Sequence, residues 1–517
     1  MNVFFRNIPV ILVFLTLAAF GWLWGGARAE ALTSTIPWLY AFLFEALLFF
    51  PQRRPYEDAL TARRRSWHAL RRDPLLYVTL LFVVVLVVPF VNRGLCPVCD
   101  YPTILKISET TGLTFEEAAK PPVPFAPFCV NIAEHYGVLL WFLPSLTAML
   151  AAKHALLRQG KRALMEMIVW NAAAMAVLGF VQMGTGAEFP YWTAQKTLPG
   201  WGKVPFFSTF GYPNMAGSFF VMMFAFSVGL WQHRVAEVSA LPKATQAVSL
   251  REQALHRWLR AHYPLIPMTL NFFGALCTLS RAALILLFSL SLAAFAYYEC
   301  SLLFARHERS RRVKNAAFAL GGALLFLLAI SVFAPAGLSK ELATLSDNAV
   351  ADRMTGKGQY HVRVATELFK EQPFFGYGGW GYRHFCTTKM TEEELRSVQQ
   401  VGGANVHNDY MQFLCEHGAV GAGSLFLIFL LLVCPVFSEW YRLYRAARFT
   451  KPDKAPPKPR AIYCLPAGAF WILLGDTALI IHAFGDCPMR SAAVLSAFFV
   501  SLACAEGYLP REQGGGR

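Results

Sequence analysis

Six residues stand out by type: Arg281, Arg353, Arg363, His407, His482 and Asp486. An arginine fork is planar, stays charged, and grips phosphate oxygens two at a time. A histidine titrates near neutrality and can take a proton from a hydroxyl. Together these types suit transfer of a group from a lipid diphosphate, which departs, to a hydroxyl acceptor. Such a reaction needs no nucleotide hydrolysis. The sequence has no GxxxxGK[ST], HExxH, GxSxG or EF-hand loop. Any reaction therefore draws on a pre-activated substrate or a gradient. Five of the six also have an ordinary reading. Arg281 can snorkel at a span end, His407 can belong to a helix-capping region, and Arg353 and Arg363 can be loop charges. Asp486 and Arg490 can form an i,i+4 pair of small energetic value.

The elements that must position these residues follow from composition. The chain has 517 residues, of which 56% are hydrophobic and 15% charged, against about 25% charged in a soluble domain. A polytopic membrane protein is the class that remains. Twelve stretches approach the roughly 20 apolar residues of a transmembrane helix. They lie near 7–25, 35–51, 75–92, 135–152, 164–183, 212–231, 264–280, 282–304, 315–335, 419–440, 462–484 and 490–507. With both termini in the cytoplasm, about two-thirds of the 47 Lys and Arg fall on the inner side, as the positive-inside rule requires. The net charge of +15 thus reports orientation beside anionic lipid and not a nucleic-acid partner. This topology sends Asn214, Arg281, Arg353, Arg363, His407, His482, Asp486 and Arg490 to the outer boundary.

Three outer loops are long: about 93–134, 184–211 and 336–418. The third contains a helical run, Val362–Gln372, with Val364, Leu368 and Phe369 on one side and Pro373 as its stop. Phe374 to Tyr382 follows, rich in glycine and aromatics. Gly376 and Gly378 there permit positive φ and close backbone approach to a ligand, or else a packed turn. A second helix starts near Asn408, with His407, Met411 and Leu414 on one face and Gly418 as its C-cap. Cys96-Pro-Val-Cys99, with Cys129, reads as a disulfide locus. Zinc would need two further ligands, for which Asp100 and His135 are the local candidates.

At these residues the sequence resembles the O-antigen ligase/polymerase family of bacterial envelope enzymes. Four blocks carry the resemblance: Phe210-Gly-Tyr-Pro-Asn-Met-Ala-Gly217, Leu279-Ser-Arg-Ala282, Arg363 through Glu371-Gln-Pro-Phe-Phe-Gly-Tyr-Gly378, and Val406-His-Asn-Asp-Tyr410 through Glu416-His-Gly418 to Gly421. His482 through Asp486-Cys-Pro488 is similar to a fifth element. The resemblance implies an all-α, GT-C-like glycosyltransferase of the bacterial inner membrane with no metal or other cofactor. Its donor would be a glycan on undecaprenyl diphosphate, and its acceptor lipid A-core or a growing glycan, on the periplasmic face. By matching position, His407 is the essential loop histidine and Arg281 the diphosphate-binding span arginine. Arg363 or Arg353 is a further loop arginine. The family often has Trp in the helix before P-x-x-G, whereas here the helix reads His361-Val-Arg-Val. Asn214, Gly376, Gly378, Asn408, Glu416, His482 and Asp486 are the expected substrate-binding set. Residues 205–490 are the ligase-like core. Residues 1–204 form an N-terminal membrane region with the cysteine loop, and 491–517 the last span and tail. The rival reading is a transporter of inorganic carbon or another small solute, which would show paired repeats and midplane breaks.

Overall fold

Prolines and capping side chains decide where the apolar stretches become helices. The computed structural model describes residues 2–26, 35–93, 121–194, 205–240, 250–303, 357–394, 405–449 and 465–509. The expected ninth span, Arg353, Cys96, Cys99 and Asp100 lie outside them. In chain order the principal helices are α1 (Asn2–Trp22), α2 (Ile36–Leu48), α3 (Ala59–Arg72), α4 (Pro74–Val87), α5 (Ile132–His154), α6 (Arg158–Gly184), α7 (Pro213–Ala240), α8 (Leu250–His262), α9 (Leu265–Cys277), α10 (Arg281–Leu303), α11 (Lys357–Glu371), α12 (Gly381–Phe385), α13 (Asp409–Phe449), α14 (Ala467–His482) and α15 (Ala492–Ala505). No β-strand occurs among the described residues.

Asp58 caps α3 through the Leu60 and Thr61 amides. Asp73 closes α3 and caps α4, with Pro74 in the first turn. The polar α3 and apolar α4 consequently meet at a bend of 66°. The 264–304 run breaks where expected, between α9 and α10. Four of the described helices are long and apolar enough to cross a membrane, and the bent α3–α4 pair adds a fifth. Shorter apolar helices include α2, α14 and α15.

Two helices occupy the centre. Every residue of α7 from Ala216 to Leu230 is buried, and so is every residue of α15. A helix that is apolar all round is one that neighbours surround. Helix α7 packs mainly on α14 and α9, and α15 on α5. Small residues allow the approach: a Cβ on Gly217 would meet Ala283 and Ser280, and one on Gly229 would meet Trp471.

A second, smaller core gathers Phe128, Val364, Ala365, Leu368, Tyr377, Tyr382, Phe385, Val406 and Cys415. It joins the folded part of the long loop to Phe128 of the first outer loop, and α11 is its amphipathic lid. Val364 and Leu368 face inward as their spacing required, while Phe369 is only half-buried and lies outside this core, and the helix ends before Pro373.

Candidate functional site

The irregular backbone at one end of α7 is held by glycines. Helix α13 is broken at Gly418, whose φ of 62° and ψ of −173° are not helical. The break releases backbone groups to the Gly-aromatic turn. Tyr377 and Gly378 amides donate to the Cys415 and Glu416 carbonyls (3.0 and 2.7 Å), and Ala419 and Val420 amides donate to the Pro373 and Phe374 carbonyls. Gly376 and Gly378 both have positive φ, and a Cβ on either would strike backbone within 2.4 Å. The close approach expected of these glycines is therefore made to the protein's own chain, the packed-turn alternative.

His407 precedes α13 with φ 52° and does not share the helical face of Met411 and Leu414. Met411 packs on the small core, while Leu414 faces an apolar cavity elsewhere. The N-cap is Asn408, whose side-chain oxygen accepts from the Met411 amide (3.0 Å) and whose amide donates to the Phe484 carbonyl (3.2 Å). The His407 side chain is half exposed, and its Nδ1 lies 3.3 Å from Asp486 Oδ1. Asp486 is buried and receives three more N–H or O–H donors. Tyr212 donates its hydroxyl to Oδ2 (3.1 Å), the Asn214 amide to Oδ2, and the Cys487 amide to Oδ1 (2.8 Å). Burial alone would raise the Asp486 carboxyl. The His407 hydrogen bond, the charges of His407 and His482, and the Cys487 amide outweigh it and hold the pKa at about 2. This carboxylate holds the half-exposed His407 ring through Nδ1, the arrangement of an oriented base.

His482 stands one layer below. Its Nδ1 is 2.5 Å from Ser218 Oγ, and its buried Nε2 has no hydrogen-bond partner among the described residues. The ligand atoms of His407, Asp486 and Cys487 lie within 4.8 Å of one another, a set that could hold a metal ion. Burial and the neighbouring carboxylates push the Cys487 thiol well up, so it stands there as a neutral thiol and not a thiolate.

Arg490 differs from its sequence reading. It does not pair with Asp486, because residues 483–491 form turns and a 3-10 segment and not a helix that would align i with i+4. It reaches across to Glu416 (2.8 Å) and Asp409 (3.8 Å), and all three are buried. Its guanidinium lies over the rings of Trp380 (4.7 Å) and Phe413 (4.9 Å). Asp409 also accepts from the Met489 amide (2.8 Å), and its own amide donates to the Ala483 carbonyl (2.9 Å). Residues 407–416 and 482–490 are thus latched together. Glu416, expected on the substrate, is taken up by Arg490 and Gln412.

The structure brings together Asn214, His407, Asn408, His482 and Asp486. Arg281 opens α10 after a turn with Leu279 at φ 54°, and that turn abuts Gly217, next to Ser218. Arg363 points to exposed Glu367 and half-buried Glu394 (both 2.8 Å), and among the described residues it makes no ion pair with Asp486. His135 is no zinc ligand as it stands. One ring nitrogen meets the Leu86 carbonyl (2.8 Å) and the other accepts from the Gly379 amide (2.9 Å). Cys129 is a buried thiol. Of the participants, Tyr212 lay in the Phe210–Gly217 block without an assigned role, and His361 was missed in the sequence. The His361 ring lies 6.5 Å from that of His407. Its signal was present, since 361, 364, 365 and 368 form one buried helical face.

Residues 266–434 match the family model described as O-antigen ligase. The match takes in the Arg281 turn, α11, the glycine turn and His407 to Gly418, and it stops short of Asp486. No curated protein matches the chain. The transporter reading gains no support from these findings. A helical membrane-type architecture and a ligase-type match over residues 266–434 support a likeness to the O-antigen ligase/polymerase family.

Proposed function

We propose that the protein is a metal-independent membrane glycosyltransferase. It moves an O-antigen or related polysaccharide from undecaprenyl diphosphate to a hydroxyl of lipid A-core or of a growing glycan. The work is done on the periplasmic face of the inner membrane by a GT-C-like bundle of about twelve spans with cytoplasmic termini. Residues 205–490 supply the ligase core, with 1–204 and 491–517 flanking it. The observation that carries this reading is the exposed His407 held by a buried, four-donor carboxylate inside a chain with a ligase domain.

His407 takes the acceptor hydroxyl proton as the oxygen bonds to the anomeric carbon. The bond from that carbon to the diphosphate oxygen breaks, and the polyprenyl diphosphate leaves. Arg281 and a loop arginine, Arg353 or Arg363, neutralise the diphosphate. Asp486 orients the histidine through Nδ1. Asn214, Asn408 and His482 hold the walls of the site, and Gly376, Gly378 and Glu416 hold the turn that seats it.

Replacing His407 by Ala tests this. Transfer of glycan, measured on gels of membranes from a strain lacking the chromosomal copy, is expected to fall about 10²–10⁴-fold while the protein level is unchanged. Full transfer would overturn the assignment. The accumulating intermediate separates the two acceptors: long lipid-linked polymer means a ligase, single repeat units a polymerase.

A further inference from the structure

Beside His407 stands a second histidine with its own fixed partner. His361 is buried on α11, and its Nδ1 lies 2.7 Å from the Tyr382 hydroxyl. The alternative acceptor for that hydroxyl, the His361 carbonyl, is farther at 3.4 Å. A Tyr hydroxyl donating to Nδ1 sets the proton on Nε2. The Tyr360 ring packs on that of His361 at 4.1 Å between centroids. The ring is therefore pinned on two sides, more firmly than packing of a core residue needs.

The separation from His407 is informative. At 6.5 Å between centroids, with planes inclined by 64°, the two imidazoles are too far apart to bond each other. The gap suits one oxygen atom bonded at about 2.9 Å to each ring. His407 has its Nδ1 committed to Asp486, so Nε2 is its acceptor. His361 has its Nδ1 committed to Tyr382, so Nε2–H is its donor. A hydroxyl has one proton to give and two lone pairs. It can donate to His407, accept from His361, and keep one lone pair for bond formation.

We propose that His361 is a substrate-binding residue whose Nε2–H clamps the acceptor hydroxyl against His407 and so selects an acceptor oxygen that both donates and accepts. The proposal rests on the glycosyltransferase reading above. The clamp acts by orientation, holding the reacting oxygen in one geometry.

Two substitutions separate the clamp from a structural role. A glutamine amide reaches the Nε2 position and an asparagine amide the Nδ1 position. Full-length variants are expressed in a strain lacking the chromosomal copy, membrane levels are matched, and the rate of glycan transfer is followed on gels. His361→Gln is expected to stay within about threefold of the parent, and His361→Asn to lose about tenfold or more. The reverse order would mean that the ring only anchors Tyr382, and would overturn the clamp. Equal activity of both with the parent overturns it, and so does equal loss, which would demand a titrating imidazole. If His361→Asn fails to accumulate, Tyr382→Phe replaces it. That change frees the tautomer and is expected to slow transfer, and an unchanged rate sinks the proposal. His407→Ala runs alongside. If it still transfers glycan, the underlying reading fails. If it is inactive while His361→Asn is fully active, the clamp alone fails.

Discussion

The two ends of α7 both carry ionic networks, and they are built on opposite plans. At the C-terminal end, Arg234 reaches Glu166 (2.6 Å) and Glu237 (2.9 Å), and Arg162 reaches Glu237 (3.2 Å). These groups sit on regular helices, and their side chains keep roughly a quarter to a third of their exposure. At the N-terminal end Asp409, Glu416, Asp486 and Arg490 are all buried, and the last two sit in turns. Leu279, Trp380 and His407 have positive φ there, with Gly376, Gly378 and Gly418. Left-handed backbone at non-glycine positions costs on the order of 1–3 kcal/mol each, and a buried ion pair recovers its desolvation only with good geometry. A network that merely tethers helices has no need of either. The contrast argues that the His407 end is shaped by what it must hold, and the other end by solubility and orientation.

The sharpest way to break the contrast is Arg490→Met. Asp409 and Glu416 would be left buried without their cation, at a cost of about 3–5 kcal/mol. Thermal unfolding in detergent should show a large drop, and a shift no larger than that of Arg234→Ala would refute the difference between the ends. Next in size is an acid effect. Burial, reinforced by the charge on His407, lowers the His361 pKa from 6.5 to about 4. Below pH 6.5 the unfolded chain takes up a proton that the folded chain refuses. Stability is therefore complete above pH 6.5 and declines as pH falls toward 4, by up to about 3 kcal/mol. His361→Gln should flatten that limb in pH-dependent melting curves, and an unaltered limb would assign it elsewhere. Asp486 acts lower still. Its depressed pKa of about 2 keeps its contribution intact until pH falls below about 4. Smaller again is Gly418→Ala. Its Cβ would lie 2.3 Å from the Phe374 backbone at a φ of +62°, which should cost about 1–3 kcal/mol and loosen the turn. An alanine variant as stable as the parent would mean that the turn is not seated there.

What could be read in the sequence follows the same division. Periodic features were legible: the break near Ser280–Arg281, the inward face of α11 through Val364 and Leu368, the Asn408 cap and the special glycine at 418. Each is local, and its residue types carry the rule. The convergence of Asn214, His407 and Asp486 was legible in outline, because topology alone sends them to one end. The partners were not. Asp486 and Arg490 looked like an i,i+4 pair, yet a turn between them sends Arg490 to Glu416 instead. Gly376 and Gly378 were legible as positive-φ positions, but not as seats for the chain itself. His361 was hidden because a histidine on an apolar face reads as core until its neighbour across the fold is known. Side-chain partners made across turns have no period, so spacing says nothing of them.

The smallest effect tests the comparison from its weaker side. Arg234 and Glu166 make a close pair on α7 and α6, and Tyr263 also donates its hydroxyl to Glu166. On geometry alone this pair looks as good as Arg490 with Glu416. Exposure decides against it, since water and salt screen both partners. A double-mutant cycle with Arg234→Ala and Glu166→Gln should return a coupling of about 0.2–1 kcal/mol, shrinking as salt is raised. The parallel cycle on Arg490 and Glu416 should return a larger coupling that salt leaves almost unchanged, because no ions reach the pair. If both cycles gave the same coupling and the same salt dependence, burial would not be what distinguishes the two ends. The case for a specialised His407 end would then rest on backbone strain alone.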